Sequence, residues 1–102
     1  MNIKNTGEIN ITSDMGKFLY DIGKNLKYFK YVETGTKNGD GSTYCILKGL
    51  LERKDASKLI GFETNKIFYL KAINNLKNVS SDKVEIKNKT LVSYNELPKW
   101  DT

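Results

Sequence analysis

Apolar residues recur at helical spacing in three separate segments of the chain. The first segment predicts a helix over about residues 14–26, with Ser13 and Asp14 as capping residues at its start. Ser42 is expected to cap the second helix, and Asn65 is expected to open the third. The recurring apolar positions are Met15, Phe18, Leu19, Ile22 and Leu26, then Tyr44, Leu47 and Leu51, then Ile67, Leu70, Ile73 and Leu76.

Runs of aromatic and β-branched residues follow these helical segments and predict three strands. They cover residues 28–33, 59–63 and 84–86, and Leu91 and Val92 come after the third. The middle run is short and nearly all apolar, which is typical of a parallel strand buried on both faces. In the first run, the aromatic residues Tyr28, Phe29 and Tyr31 are expected to lie in the core.

Helices and strands alternate along the chain, which indicates parallel strands joined by crossover helices. The expected fold class is α/β: a Rossmann-like open parallel sheet with flanking helices, truncated to about three strands. Residues 1–12 are expected to form an irregular N-terminal arm. Residues 13–102 are expected to form a single partial domain, whose regular pattern ends at Pro98.

The composition narrows the function classes. The chain has 102 residues and a net charge of +5, but only Arg53 among its 17 basic residues is an arginine, which disfavours base and phosphate readout in nucleic acids. Cys45 is the single cysteine and there is no histidine, so neither an internal disulfide nor a zinc site is expected. No apolar run is long enough for a membrane span or a signal peptide, so we expect a cytoplasmic protein without a membrane partner.

A glycine-rich turn directly follows the first predicted strand. Gly35, Gly39 and Gly41 have the spacing G-x-x-x-G-x-G, which differs from the G-x-G-x-x-G of dinucleotide sites. Ligands of open α/β sheets bind outside the carboxyl ends of the strands, which is where this turn lies. The turn is either a ligand-binding loop or a plain connection to a helix capped by Ser42.

Acidic residues accompany this turn and indicate which ligand it favours. Glu63 ends the second strand 22 residues after Gly41, where a carboxylate can accept ribose hydroxyls, although a solvated strand-end charge has the same pattern. Glu33 and Asp40 would repel a pyrophosphate. They suit S-adenosylmethionine, which carries a sulfonium and an ammonium group, better than NAD, and Lys37 offsets this preference in part.

Two motifs make a resemblance specific. Residues 31–43 (YVETGTKNGDGST) resemble the first motif of a group of class I S-adenosylmethionine-dependent methyltransferases, and residues 60–65 (IGFETN) resemble its second motif. The likeness extends from about Gly7 to Leu97. It implies a small-molecule methyl donor as cofactor, bound by Glu33, Gly35, Thr36, Gly39, Gly41, Ser42, Glu63, Thr64 and Thr90.

The chain also departs from this family. Lys89 and Thr90 stand where the family often has Gly followed by Asp, Ser or Thr near the adenine. The family's sheet has more strands, and the segments that form the acceptor pocket have no counterpart here. The resemblance therefore implies the cofactor-binding half of a transferase, a fragment that is inactive alone, with no assignable catalytic residue, metal ligand or methyl acceptor.

Two alternatives remain open at this stage. The chain could be a non-catalytic Rossmann-like interaction module, or another nucleotide-binding α/β enzyme. In the fold that the chain resembles, a fourth strand pairs with the first, so without it the strand at 28–33 becomes an exposed sheet edge, and we expect the chain to dimerise through that edge or to aggregate.

Overall fold

A computed structural model of the chain describes residues 9–90. Three helices alternate with three strands in the order that the sequence predicts, so the α/β fold class is confirmed. The elements are α1 (Asp14–Lys24), β1 (Lys30–Thr34), α2 (Ser42–Leu51), β2 (Lys58–Phe62), α3 (Lys66–Leu76) and β3 (Val84–Lys87).

The three strands form a parallel sheet in the order β1-β2-β3. Val32 pairs with Ile60, and Ile60 pairs with Glu85 in the next strand. Because both connections advance in the same direction across the sheet, right-handed crossovers place α2 and α3 on the same face. The described residues therefore form a Rossmann-like sheet with a single helical layer.

The two faces of the sheet differ in burial. The core cluster joins the inward-facing side chains of all three strands to those of the helices. On the other face Val32 is 58% exposed, and Ile60 and Phe62 are only half-buried. The expectation that β2 is buried on both faces is therefore wrong for the described residues. The core cluster consists of Tyr31, Ile46, Leu47, Leu50, Leu59, Ala72, Leu76, Val84 and Ile86.

Several apolar side chains that sequence periodicity placed in the core are exposed. Tyr28 and Phe29 are 48% and 53% exposed, because they precede β1 and do not lie within it, whereas Tyr31 is buried as expected. In α3 the buried positions are Ala72 and Leu76. Other apolar members of the predicted helical stripes lie at the surface: Met15, Phe18, Leu26, Leu51, Ile67, Leu70 and Ile73.

Close backbone contact between α1 and α2 explains two glycines in helices. A Cβ on Gly23 would lie 2.2 Å from the carbonyl oxygen of Ile46, and one on Gly49 would lie 2.4 Å from that of Tyr20. No side chain fits in either place, so the helices cross at a distance that only glycine allows. The two glycines lower the helix propensity of α1 and α2 but allow this close packing.

Arg53 connects three segments of the chain through its guanidinium group. Its Nη1 donates hydrogen bonds to the backbone carbonyls of Gly23 and Asn25 and to the Tyr31 hydroxyl. Its Nε and Nη2 both donate hydrogen bonds to Oδ2 of Asp55. The guanidinium is almost fully buried, so the one arginine of the chain links the end of α1, the start of β1 and the α2–β2 connection.

The described region begins a few residues before α1 and ends a few residues after β3. Ser13 caps α1, as predicted, through a hydrogen bond from Gly16 N–H to its hydroxyl. Of the predicted N-terminal arm only residues 9–12 are described, and they include a turn in which Asn10 contacts Ser13. Leu91, Val92 and Pro98 lie outside the described residues. No helix within residues 9–90 is long and apolar enough to cross a membrane.

Candidate functional site

The carboxyl ends of the three parallel strands meet at one edge of the sheet. Glu33 lies near the end of β1, Glu63 follows β2 directly, and Asn88 follows β3. The loop of residues 35–41 leaves the same edge and leads into α2. The predicted cofactor residues of the first two motifs are thus brought together at the edge where open α/β sheets bind ligands.

The loop has an unusual backbone. Gly35, Lys37 and Gly39 all have positive φ, at 70°, 54° and 78°. Glycine adopts this conformation freely, but lysine does so at a cost of about 1 kcal/mol or more. A side-chain contact that fixes Lys37 is therefore needed to hold the loop in this shape.

Glu63 provides that contact. Its Oε1 accepts a hydrogen bond from the Lys37 backbone N–H at 2.6 Å, and its Oε2 accepts one from the Asn65 N–H at 2.9 Å. The side chain is buried, with 6% exposure. The sequence-based alternative of a solvated strand-end charge is therefore wrong, because this carboxylate is an internal support of the loop. Two hydrogen bonds leave about half of its accepting capacity free.

Helix α3 supports the loop from another side. Asn75 Nδ2 donates a hydrogen bond to the Asn38 carbonyl oxygen at 2.7 Å. A Cβ on Gly39 would lie 3.3 Å from Leu76 Cδ1, so the loop backbone packs directly on the helix. Sequence reasoning missed Asn75, because a polar residue in a helix carries no signal of the loop that it reaches.

Glu33 joins β1 to the start of α2. Its two carboxylate oxygens accept hydrogen bonds from the hydroxyls of Ser42 and Thr43. The prediction that Ser42 caps α2 is wrong, because Gly41 occupies the N-cap position and forms no side-chain capping hydrogen bond. Burial, together with the negative charge of Glu33, raises the pKa of the Cys45 thiol one turn further along. Thr43 is fully buried and was missed as a site residue, although it lies inside the first motif.

Thr36 combines burial with an unpartnered hydroxyl. The residue is 4% exposed, and its Oγ1 is the buried side-chain oxygen without a hydrogen-bond partner among residues 9–90. It lies against Gly61 of β2, where a Cβ would come within 2.4 Å of this oxygen. Gly61 therefore makes room for Thr36 beneath the loop.

The remaining predicted residues lie at the margin of the site. Thr64 and Thr90 are exposed. Asn88 Nδ2 donates hydrogen bonds to the carbonyl oxygens of Glu63 and Thr64 and so ties the end of β3 to the end of β2. The structure gives Thr64 a backbone role and places Thr90 at the surface beyond Asn88.

Two further features of the described residues concern metal binding and a cleft away from this edge of the sheet. No cluster of three or more potential metal ligands occurs among residues 9–90. A cleft of about 470 Å³ lies at the opposite end of the strands, with Lys58, at the start of β2, in its lining. Lys83 in its wall already donates hydrogen bonds to the Asp55 carbonyl and the Ser57 hydroxyl.

The described residues thus define a parallel α/β protein with two fixed carboxylates beside the loop after its first strand. The loop has room beside Gly35, since no atom of residues 9–90 lies within 4 Å of the position of a Cβ there. No protein-family model matches the chain, and a search of curated proteins finds no similar sequence.

Proposed function

We propose that the carboxyl edge of the sheet binds S-adenosylmethionine and that the chain is the cofactor-binding part of a class I methyltransferase. The observation that carries the proposal is the pair of carboxylates, Glu33 and Glu63, held at the ends of adjacent strands on either side of the loop of residues 35–41. The motif resemblance adds to it.

The charges favour a cationic ligand. S-adenosylmethionine carries an ammonium and a sulfonium group and no phosphate, so fixed carboxylates attract it. A pyrophosphate binds bare amides at a helix N-terminus. At α2 that position already has a negative group, because Glu33 accepts hydrogen bonds from Ser42 and Thr43. A dinucleotide phosphate would have to approach Glu33, which disfavours NAD.

The site residues fit this cofactor in three respects. The space that residues 9–90 leave beside Gly35 lets a ligand approach the backbone. The buried hydroxyl of Thr36 supplies an unused donor and acceptor beneath the loop. The free lone pairs of Glu63 suit ribose hydroxyls, while those of Glu33 suit the ammonium end.

In this proposal the described residues bind and orient the donor. The bound cofactor supplies a methyl group on a sulfonium, which a positioned acceptor can attack without a general base. Glu33 and Glu63 would hold the two ends of the cofactor, and the fixed loop between them would define its path. The methyl acceptor and its pocket have no candidate among residues 9–90.

Titration calorimetry with S-adenosylhomocysteine tests the proposal on three proteins: the parent chain, Glu33→Gln and Glu85→Gln. Glu33→Gln removes the charge but keeps an oxygen that accepts from Thr43. Losing a hydrogen bond to a charged group costs about 1.5–3 kcal/mol, so we expect affinity about 10- to 100-fold lower.

Glu85→Gln is the matched control, because Glu85 is an exposed carboxylate that pairs with Lys58 on the open face of the sheet. We expect it to leave affinity unchanged. Equal affinities of Glu33→Gln and Glu85→Gln, with both variants folded, would contradict the proposal.

A further inference from the structure

Strand β1 lies at the end of the sheet formed by the described residues. Its even-numbered residues, Lys30, Val32 and Thr34, are all exposed. Val32 is 58% exposed on the open face, beside its half-buried neighbour Ile60 in β2. The strand therefore combines an apolar centre with an edge that has no partner strand among residues 9–90.

The backbone hydrogen bonds fix the direction of each peptide group on this edge. Lys58 N–H donates to the Phe29 carbonyl, and Gly35 N–H donates to the Phe62 carbonyl. In a parallel ladder, alternate residues bond to one neighbour. The odd-numbered residues of β1 therefore bond to β2, and Lys30, Val32 and Thr34 direct their N–H and C=O groups outward.

We propose that a second copy of this chain pairs with β1 along this edge, antiparallel, about a two-fold axis at Val32. In this register Val32 faces Val32 of the second copy, and Lys30 faces Thr34 of the second copy. All three outward-facing residues then find a partner, and each facing pair can exchange two hydrogen bonds. A two-fold axis at another residue of β1 would leave at least one of them unpaired.

The charges of the facing residues and the symmetry of the contact favour a second copy of this chain at this edge. Lys30 faces an uncharged threonine, and Tyr31 faces Glu33 of the second copy, so no like charges lie directly opposite each other. The same strand supplies both sides of the contact, as a two-fold interface requires. The two Val32 side chains meet on the open face and join the apolar rows of the two sheets. The inference is independent of the ligand proposed above.

Cysteine crosslinking tests the register in a Cys45→Ala background. Facing residues in such a pair lie about 5.5 Å apart at Cα, within the range of a disulfide. We expect Val32→Cys to form a covalent dimer on mild oxidation. Lys30→Cys and Thr34→Cys should not do so alone, but should crosslink when the two proteins are mixed. Crosslinking of Val32→Cys no faster than that of Lys30→Cys would overturn the register.

Light scattering across a concentration series tests the dimer itself. Val32→Pro removes the outward-facing backbone N–H of this residue, and an edge strand tolerates proline at such a position. Val32→Thr keeps the backbone N–H and is the control. We expect the parent chain and Val32→Thr to dimerise, and Val32→Pro to require at least a tenfold higher concentration. A parent chain that stays monomeric, or a Val32→Pro variant that dimerises like Val32→Thr, would overturn the proposal. If Val32→Pro fails to fold, the crosslinking result decides.

Discussion

The carboxylate of Glu63 accepts a hydrogen bond from the backbone N–H of Lys37 at 2.6 Å, across 26 residues of sequence. Lys37 has a φ of 54°, which a lysine rarely adopts. The strand-end acid therefore fixes the one non-glycine residue in the loop that needs a left-handed backbone. The same side chain that we propose for ribose binding also shapes the loop.

Glu63→Ala is therefore expected to destabilise the protein as well as weaken ligand binding. The change leaves two N–H groups, those of Lys37 and Asn65, without their acceptor, at a cost of about 2–3 kcal/mol in the free energy of unfolding. Urea denaturation measures this cost. The exposed Glu85→Ala is the control and should change stability by less than about 0.5 kcal/mol. Equal stability of the two variants would show that Glu63 does not support the loop.

The sequence predicted the element order, the strand positions and the loop, because these follow from local periodicity and glycine spacing. The helix α1 and strand β2 begin and end within about two residues of their predicted bounds. The position of Glu63 at a strand end was likewise visible. Its hydrogen bond to Lys37 was not, because it depends on how β1 and β2 pair.

Burial was predicted less well, because periodicity shows an apolar face without showing what covers it. Of the predicted stripe in α3, Ile67, Leu70 and Ile73 are exposed and Leu76 is buried, while Ala72, outside the stripe, is buried as well. From the sequence, Arg53 bears only on whether the chain binds nucleic acid. Its burial among backbone carbonyls requires three segments to meet, which no local pattern indicates.

Thr36→Val is expected to stabilise the protein in the absence of ligand. The change removes a buried hydroxyl that has no partner among the described residues and keeps the branched shape, so the free energy of unfolding should rise by about 1 kcal/mol. Thermal unfolding measures the change. If the hydroxyl contacts the ligand, the same variant binds S-adenosylhomocysteine more weakly. A destabilised Thr36→Val would show that the hydroxyl is already paired in the free protein.

Arg53→Ala is expected to cost about 3 kcal/mol of unfolding free energy, because it removes the guanidinium hydrogen bonds to the Gly23 and Asn25 carbonyls and breaks a largely buried ion pair with Asp55. Lys54→Ala, at the exposed neighbouring residue, is the control and should change stability little. Chemical denaturation followed by labelling of the buried Cys45 thiol reports the loss. A small effect at Arg53 would mean that its contacts are replaceable.

Stability should fall in acid partly through Asp55. Hydrogen bonds from the Ser57 hydroxyl and the Arg53 guanidinium hold the pKa of this carboxyl well below its usual range. A depressed folded-state pKa stabilises the protein above the unfolded value of about 4, and the contribution is lost as the pH falls. The stability difference between the parent chain and Asp55→Asn should therefore shrink between about pH 5 and 3.

Asp82→Asn, which removes an exposed carboxyl, is the control, and its stability should differ from that of the parent chain by less than that of Asp55→Asn at neutral pH. Denaturant midpoints measured at several pH values give both comparisons. A constant gap between the parent chain and Asp55→Asn would contradict the assignment of Asp55 as the acid-sensitive contact.

The most direct test of the central claim is a calorimetric comparison of S-adenosylhomocysteine and NAD on the same folded sample of the parent chain. S-adenosylhomocysteine keeps the ammonium, ribose and adenine groups, whereas NAD brings a pyrophosphate to the edge occupied by Glu33 and Glu63. We expect S-adenosylhomocysteine to bind at least tenfold more tightly than NAD. Tighter binding of NAD, or no binding of S-adenosylhomocysteine by protein that unfolds cooperatively, would contradict the claim.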